Sequence, residues 1–142
     1  MAKQLNIFVE NKPGRLMTIT ETLFKNSINM RAMTVQDRGD FGMMKLLVDK
    51  PDLANTALSA LGFAVALKDA LAIVIDDTPG GLFKLLQIFN DKKINIQDAY
   101  GFVIESKKKA VLCVEVKDPA AIKSTVERSG FVVLSDAQLY DL

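Results

Sequence analysis

The hexapeptide NKPGRL at residues 11–16 recurs as DTPGGL at residues 77–82, a shift of 66 (77 − 11) along the chain. The same shift places Ile28-Asn29 on Ile94-Asn95. An ordered series of matches at one spacing indicates an internal repeat. We therefore predict two copies of one unit, residues 1–68 and 69–142, with almost no linker between them.

The apolar pattern around each hexapeptide predicts the order of strands and helices. Alternation over residues 5–9 predicts a strand. A helix follows the Pro-Gly turn, with Pro13 at its first position and an apolar face made of Leu16, Ile19, Leu23 and Phe24. The first copy continues with strands at 28–36 and 43–48 around a hairpin turn, a helix over 53–61 ended by Gly62, and a strand at 63–67. In the second copy, strands are predicted at 71–75, 94–104, 110–116 and 131–134, and helices through 82–89 and 122–126.

The order βαββαβ, found twice, predicts an α+β protein made of two ferredoxin-like units. Each unit would be an antiparallel sheet with both helices on one face. Units of about 68 residues bury little surface alone, and the first strand is apolar on both faces, at Ile7 and at Phe8. We therefore expect the two copies to pack together and the chain to form a homodimer.

The composition excludes most catalytic chemistry. The chain has 142 residues, and 18 Lys and Arg against 17 Asp and Glu give a net charge of +1, which disfavours nucleic-acid and membrane partners. The absence of His excludes His-based proton transfer and His-ligated metals. The single Cys113, between Leu112 and Val114, predicts a buried thiol. We predict no catalytic residue, no metal and no cofactor, and, without a signal peptide or long apolar run, a cytoplasmic protein.

The two Pro-Gly turns are the candidate binding elements. Each joins a strand to a helix, so that free backbone N–H groups at the helix N-terminus attract an anion such as a carboxylate. Asn11 and Asp77 stand two residues before Pro, where their oxygens would accept a hydrogen bond from an ammonium group. An α-amino acid carries both groups. The alternative is that Asn11, Asp77 and Thr78 only cap the helices.

At these residues the chain resembles the ACT domain, the small regulatory module of amino-acid metabolism, twice over and along its whole length. The resemblance implies that an amino acid binds at the interface between two domains, against the strand-to-helix loop of one and the second strand of the other. Asp77 departs from the Asn that the family has before Pro-Gly, which puts an equivalent second site in doubt. The residues that the resemblance and the turns assign to ligand binding are Asn11, Lys12, Pro13, Gly14, Arg15, Leu16, Asn29, Asp77, Thr78, Pro79, Gly80, Gly81, Leu82 and Asn95.

The function predicted from the sequence is therefore that of a non-enzymatic, allosteric regulatory protein that binds a small amino acid. One alternative is a regulatory subunit that docks on an amino-acid biosynthetic enzyme such as acetolactate synthase. A second is a small enzyme that uses carboxylates or lysines alone, although no pair of such residues is recognisably placed for acid–base work.

Overall fold

A computed structural model describes residues 1–142 of the chain. The chain divides into two compact units, one made of residues 3–68 and the other of residues 69–142 together with Met1 and Ala2. Each unit has its own hydrophobic core.

The first unit has the predicted βαββαβ order. Its elements are β1 (Ala2–Glu10), α1 (Arg15–Lys25), β2 (Met30–Asp37), β3 (Phe41–Val48), α2 (Pro51–Ala60) and the first part of β4 (Ala64–Asp76). Strand β3 pairs antiparallel with both β1 and β2. Because β1 and β2 are thus parallel to each other, their carboxyl ends meet the start of β3 at one end of the sheet, where the first Pro-Gly turn leaves β1.

The core of the first unit lies on one face of this sheet. Alternate residues of the two central strands, such as Leu5, Ile7 and Leu46, pack with Ile19 and Leu23 of α1 and with Ala54 and Leu58 of α2. Both helices therefore cover the same face, which confirms the predicted architecture. The expectation for Phe24 was wrong: its side chain is 81% exposed, because at the end of α1 it points away from the stripe formed by Ile19 and Leu23.

The second unit repeats the arrangement. Its elements are the end of β4, α3 (Gly81–Asp91), β5 (Asp98–Glu105), β6 (Lys109–Glu115), α4 (Pro119–Arg128), β7 (Val133–Leu134) and α5 (Asp136–Tyr140). Strand β4 pairs antiparallel with β6 and β7, and β6 pairs antiparallel with β5. Leu85 and Phe89 of α3 and Val126 of α4 share one core with Leu71 and Ile73 of β4.

Three details differ from the sequence-based expectations. The strands predicted at 63–67 and 71–75 are one continuous strand, β4, since the intervening Lys68-Asp69-Ala70 contains neither Gly nor Pro. The strand predicted from residue 94 begins only at Asp98. The short helix α5 was not predicted, although Ser135 and Gln138 form a capping box at its start.

Candidate functional site

The first Pro-Gly turn forms the start of α1 in a way that leaves the helix N-terminus open. Gly14 is the N-cap, with φ 87° and ψ −8°, and no side chain caps the helix. The expectation that Pro13 begins the helix was therefore wrong, because the left-handed turn at Gly14 comes after it. The capping alternative for Asn11 is also wrong, since this residue makes no hydrogen bond to the first turn of the helix.

The open N-terminus presents unpaired backbone donors. The first intramolecular hydrogen bond of the helix runs from the N–H of Thr18 to the carbonyl oxygen of Gly14, over 3.0 Å. The N–H groups of Gly14, Leu16 and Met17 donate to no group of the chain. Together with the positive end of the helix dipole, such donors favour a bound anion.

Asn11 connects the loop to the hairpin between β2 and β3. Its backbone N–H donates to the carbonyl oxygen of Asp40 over 2.9 Å. Its side-chain Nδ2 donates to Asp37 Oδ1 over 3.2 Å and to the carbonyl oxygen of Gly39 over 3.0 Å. The donors of the amide are thus used, which fixes its orientation and leaves Oδ1 as an acceptor without a partner in the chain.

A cavity of about 230 Å³ lies beside this loop. All six loop residues predicted from the sequence, residues 11–16, line it. Its remaining wall comes from strand ends that the sequence analysis did not single out, namely Val9, Glu10, Val35, Gln36, Asp37, Gly42, Met43 and Met44. The strand pairing brings these residues together, because Asp37 and Val9 both pair with Gly42 at the end of the sheet where the turn lies.

Of the four charged side chains that line the cavity, Glu10, Lys12 and Arg15 form ion pairs at its rim, and Asp37 is the fourth. Glu10 Oε2 lies 2.9 Å from Lys12 Nζ and 3.5 Å from the Arg15 guanidinium. The hydrogen bond from Lys12, and then the charges of Lys12 and Arg15, lower the pKa of the Glu10 carboxyl group. All three side chains are solvent-exposed, so these ion pairs are weak and able to exchange partners.

The second Pro-Gly turn has the same backbone but different surroundings. Gly80 is the N-cap of α3 with φ 89° and ψ −8°, so that Pro79, like Pro13, precedes the helix. Asp77 Oδ2 accepts a hydrogen bond from the N–H of Lys107 over 2.7 Å, and the N–H of Asp77 donates to the carbonyl oxygen of Lys108. The Asp77 carboxylate therefore accepts a hydrogen bond from the β5–β6 hairpin, whereas the Asn11 amide donates hydrogen bonds to the β2–β3 hairpin.

Gly81 lies directly against the end of β4, the strand that leads into the second turn. A Cβ atom at this position would overlap the carbonyl oxygen of Asp76. The equivalent position of the first turn is Arg15, whose side chain lines the cavity. The Asp76 side chain pairs with Lys109 Nζ at 2.7 Å, and this contact lowers the pKa of the Asp76 carboxyl group.

The remaining predicted ligand residues lie apart from the two turns. Asn29 precedes β2, at the end of the sheet opposite to the first turn, and its N–H donates to Asp49 Oδ1 over 2.9 Å. Asn95 precedes β5 and lines a different, open depression with Lys93, Gln97 and Lys117. Within one unit, neither Asn reaches the Pro-Gly turn, so their contact with a ligand stays a prediction.

Other reactive groups do not form a site. Cys113 is buried, as predicted, and burial raises the pKa of its thiol to about 12. Burial, and then its contact with Cys113, also raise the pKa of the Tyr100 hydroxyl group. No group of three or more acidic, His or Cys side chains is arranged to hold a metal ion. No helix has the length and apolar character needed to cross a membrane.

Two α+β units, each with a Pro-Gly turn at the start of its first helix, define a tandem ACT-type protein. The chain belongs to this family: the family described as the ACT domain pair matches residues 1–140, and the predicted resemblance is confirmed. The crystal structure of protein BT0572 from Bacteroides thetaiotaomicron is 33% identical, with a TM-score of 0.92 over 99% of this chain and 96% of that one. Among curated proteins, none matches this chain.

Two more distant structures share the fold. The regulatory subunit of aspartate kinase from Thermus thermophilus, in its ligand-free form, is 19% identical, with a TM-score of 0.63 over 91% of this chain and 93% of that one. The regulatory subunit of aspartate kinase from Thermus flavus is 18% identical, with a TM-score of 0.66 over 97% of this chain and 92% of that one. At these identities the likeness extends to the fold alone.

Proposed function

We propose that this protein is a regulatory protein that binds a small amino acid at its first Pro-Gly turn. The observation that carries the proposal is the pairing, in one cavity, of unpaired N–H donors at the start of α1 with the unpaired Oδ1 of Asn11. The donors suit an α-carboxylate and the oxygen suits an α-ammonium group. An α-amino acid carries both charges on neighbouring atoms.

The proposal assigns the site to the first turn and leaves the second as a structural counterpart. Asp77 is engaged by the N–H of Lys107, and Gly81 lies against the carbonyl of Asp76. Asp77 Oδ1 is still free to accept a hydrogen bond, but the side chain of Arg15 has no equivalent there. We therefore expect one amino acid to bind per chain.

Regulation would follow if the bound amino acid favours one conformation of the chain over another, because a ligand shifts an equilibrium only through its different affinity for the two states. Such regulation requires binding of the amino acid but no chemical change in it, and we propose that the protein is not an enzyme. Prolonged incubation with the best-binding amino acid, followed by mass spectrometry, should recover the amino acid unchanged.

A thermal-shift screen of the full chain against the twenty amino acids tests the proposal. A ligand that binds only the native state raises its melting temperature. Asn11→Ala should weaken the response, whereas Asn90→Ala, which removes an exposed amide from α3, is the matched control and should not. If no amino acid raises the melting temperature, the proposal fails.

A second candidate is a regulatory subunit that docks on an amino-acid biosynthetic enzyme. It is favoured by the fold and size shared with aspartate kinase regulatory subunits, of which this chain covers 93% and 92%. For acetolactate synthase, the alternative named from the sequence, the structure adds no support. Copurification of a stoichiometric catalytic chain with the tagged protein would favour this candidate, and its binding to the enzyme should then respond to the amino acid.

A further inference from the structure

A second cavity adjoins the proposed site in the first unit. It is a cleft of about 290 Å³ between Phe8, Phe41 and the segment Leu61–Ala64. We call it the phenylalanine cleft. Glu10 and Arg15 line both this cleft and the cavity beside the Pro-Gly turn, so the two spaces share a wall that consists of one exposed ion pair.

The aromatic rings of the cleft lie outside the core. Phe8 pairs with Met43 and Phe41 with Glu10 in the sheet, which places both rings on the face opposite to Ile7 and Val9. The rings stack with centroids 4.9 Å apart and planes at 28°. They remain 48% and 45% exposed. Exposed apolar groups gathered beside polar ones are typical of a binding surface.

The second unit lacks the two stacked rings and Leu61 at the equivalent positions, although Gly62 and Phe63 recur as Gly130 and Phe131. Val74 lies where the first unit has Phe8, and Lys109 lies where it has Phe41, because Asp76 pairs with Lys109 as Glu10 pairs with Phe41. The shift of 68 that maps Gly62 onto Gly130 places Ser129 where the first unit has Leu61. The stacked rings and Arg15 are thus confined to the same unit, which links them to one function.

We infer that the phenylalanine cleft holds the side chain of the amino acid whose charged groups bind at the first turn, and that this ligand is an amino acid with an aromatic or branched apolar side chain. The inference rests on the proposed function. Each cavity alone lies below the range of about 300–1,000 Å³ usual for small-molecule sites, and the two together reach it.

The charges of Glu10, Lys12 and Arg15 narrow the class of ligand side chain that the phenylalanine cleft would accept. The ligand side chain reaches the cleft past Glu10 and Arg15 once their exposed ion pair, whose guanidinium and carboxylate groups are 3.5 Å apart, has opened. An acidic side chain there would meet Glu10, and a basic one would meet Arg15 and Lys12. An apolar side chain meets neither repulsion and contacts the faces of the rings.

Calorimetry on the full chain with phenylalanine, leucine, alanine, aspartate and lysine tests the inference. Phenylalanine or leucine should bind at least about tenfold more tightly than alanine, since each methylene in an apolar pocket is worth about tenfold or more. Phe41→Ala should weaken their binding by about tenfold and leave alanine binding unchanged. Phe24→Ala, which removes an exposed ring on α1, is the matched control and should change neither.

The outcomes separate this inference from the proposed function. If alanine, aspartate or lysine binds as tightly as phenylalanine and leucine, or if Phe41→Ala weakens every amino acid alike, the inference is wrong while the amino-acid site stands. If none of the five binds but another of the twenty amino acids raises the melting temperature, the inference is wrong while the amino-acid site stands; if none of the twenty does, both are wrong. Leu61→Ala, on the opposite wall of the cleft, replaces Phe41→Ala should that variant lose its cooperative melting transition, and the same result is expected of it.

Discussion

The backbone donors at the start of α1 are tested by exchanging Met17 for proline. Met17 is the third residue of α1, its N–H has no partner in the chain, and its side chain is 72% exposed. Proline is tolerated in the first turn of a helix because the N–H that it removes makes no intrahelical bond. Met17→Pro therefore deletes one candidate carboxylate donor and disturbs no core contact.

The loss in affinity follows from the kind of hydrogen bond removed. A hydrogen bond to a charged group contributes about 1.5–3 kcal/mol, so binding of the amino acid should weaken by roughly tenfold to a hundredfold. The restriction that proline imposes on the preceding residue adds a cost in stability. That cost must be separated from the effect on binding.

Phe83→Pro supplies this separation. Phe83 is the third residue of α3, the position equivalent to Met17 after the shift of 66, and it is 65% exposed. The two variants should lower the melting temperature by similar amounts. Calorimetric titration should show weakened binding for Met17→Pro and unchanged binding for Phe83→Pro. Equal affinities in the parent and both variants would refute a contact between the carboxylate and the N–H of Met17, and weakening by Phe83→Pro alone would move the site to the second turn.

Three further outcomes are expected. Gly14→Ala should destabilise the chain in urea unfolding by about 1–2 kcal/mol, although the space around a Cβ atom there is empty, because φ is +87°; an unchanged unfolding midpoint would contradict the left-handed turn. The pKa of the Asp76 carboxyl group is lowered in the folded chain mainly by Lys109, so the ionised group stabilises the fold above its ordinary pKa of 3.8, and this contribution is lost as the pH falls below that value. In Lys109→Gln, the free energy of unfolding should therefore fall less steeply as the pH is lowered through this range. The same steepness in parent and variant would argue against the ion pair. The Cys113 thiol, buried and with its pKa raised to about 12, should react with a thiol reagent at pH 8 only in denaturant, and rapid labelling of the native chain would show that the strand opens.

The periodicity of the sequence predicted the fold well because both cores follow simple rules. Ile7 and Leu46 alternate along strands, and Ile19 and Leu23 recur at helical spacing, so their burial could be expected. The exceptions have local causes. Phe24 continues the helical apolar pattern but is exposed at the end of α1, and β4 runs through Lys68 and Asp69 because no Gly or Pro interrupts the strand there.

The candidate site was less predictable, since half of it comes from strand ends that are remote in sequence. The turn residues could be named from the Pro-Gly motif and the repeat. The contribution of Asp37, Gly42 and Met43 depends on the register of the β2–β3 hairpin, which sequence spacing does not specify to one residue. The orientation of the Asn11 amide depends on the carbonyl of Gly39. The position of this backbone group cannot be predicted from the pattern of side chains.

The contact between Gly81 and the carbonyl of Asp76 makes the two copies of the repeat differ in the side chains that they can accept after Pro-Gly. The segment DTPGGL placed at residues 11–16 would put glycine at position 15 and meet no steric obstacle there. The segment NKPGRL placed at residues 77–82 would put arginine at position 81, where a Cβ atom overlaps the Asp76 carbonyl oxygen. The steric constraint at this position is therefore one-way, and so are the substitutions that drift can fix: position 15 is free to vary in size, whereas position 81 must remain glycine unless the end of β4 moves.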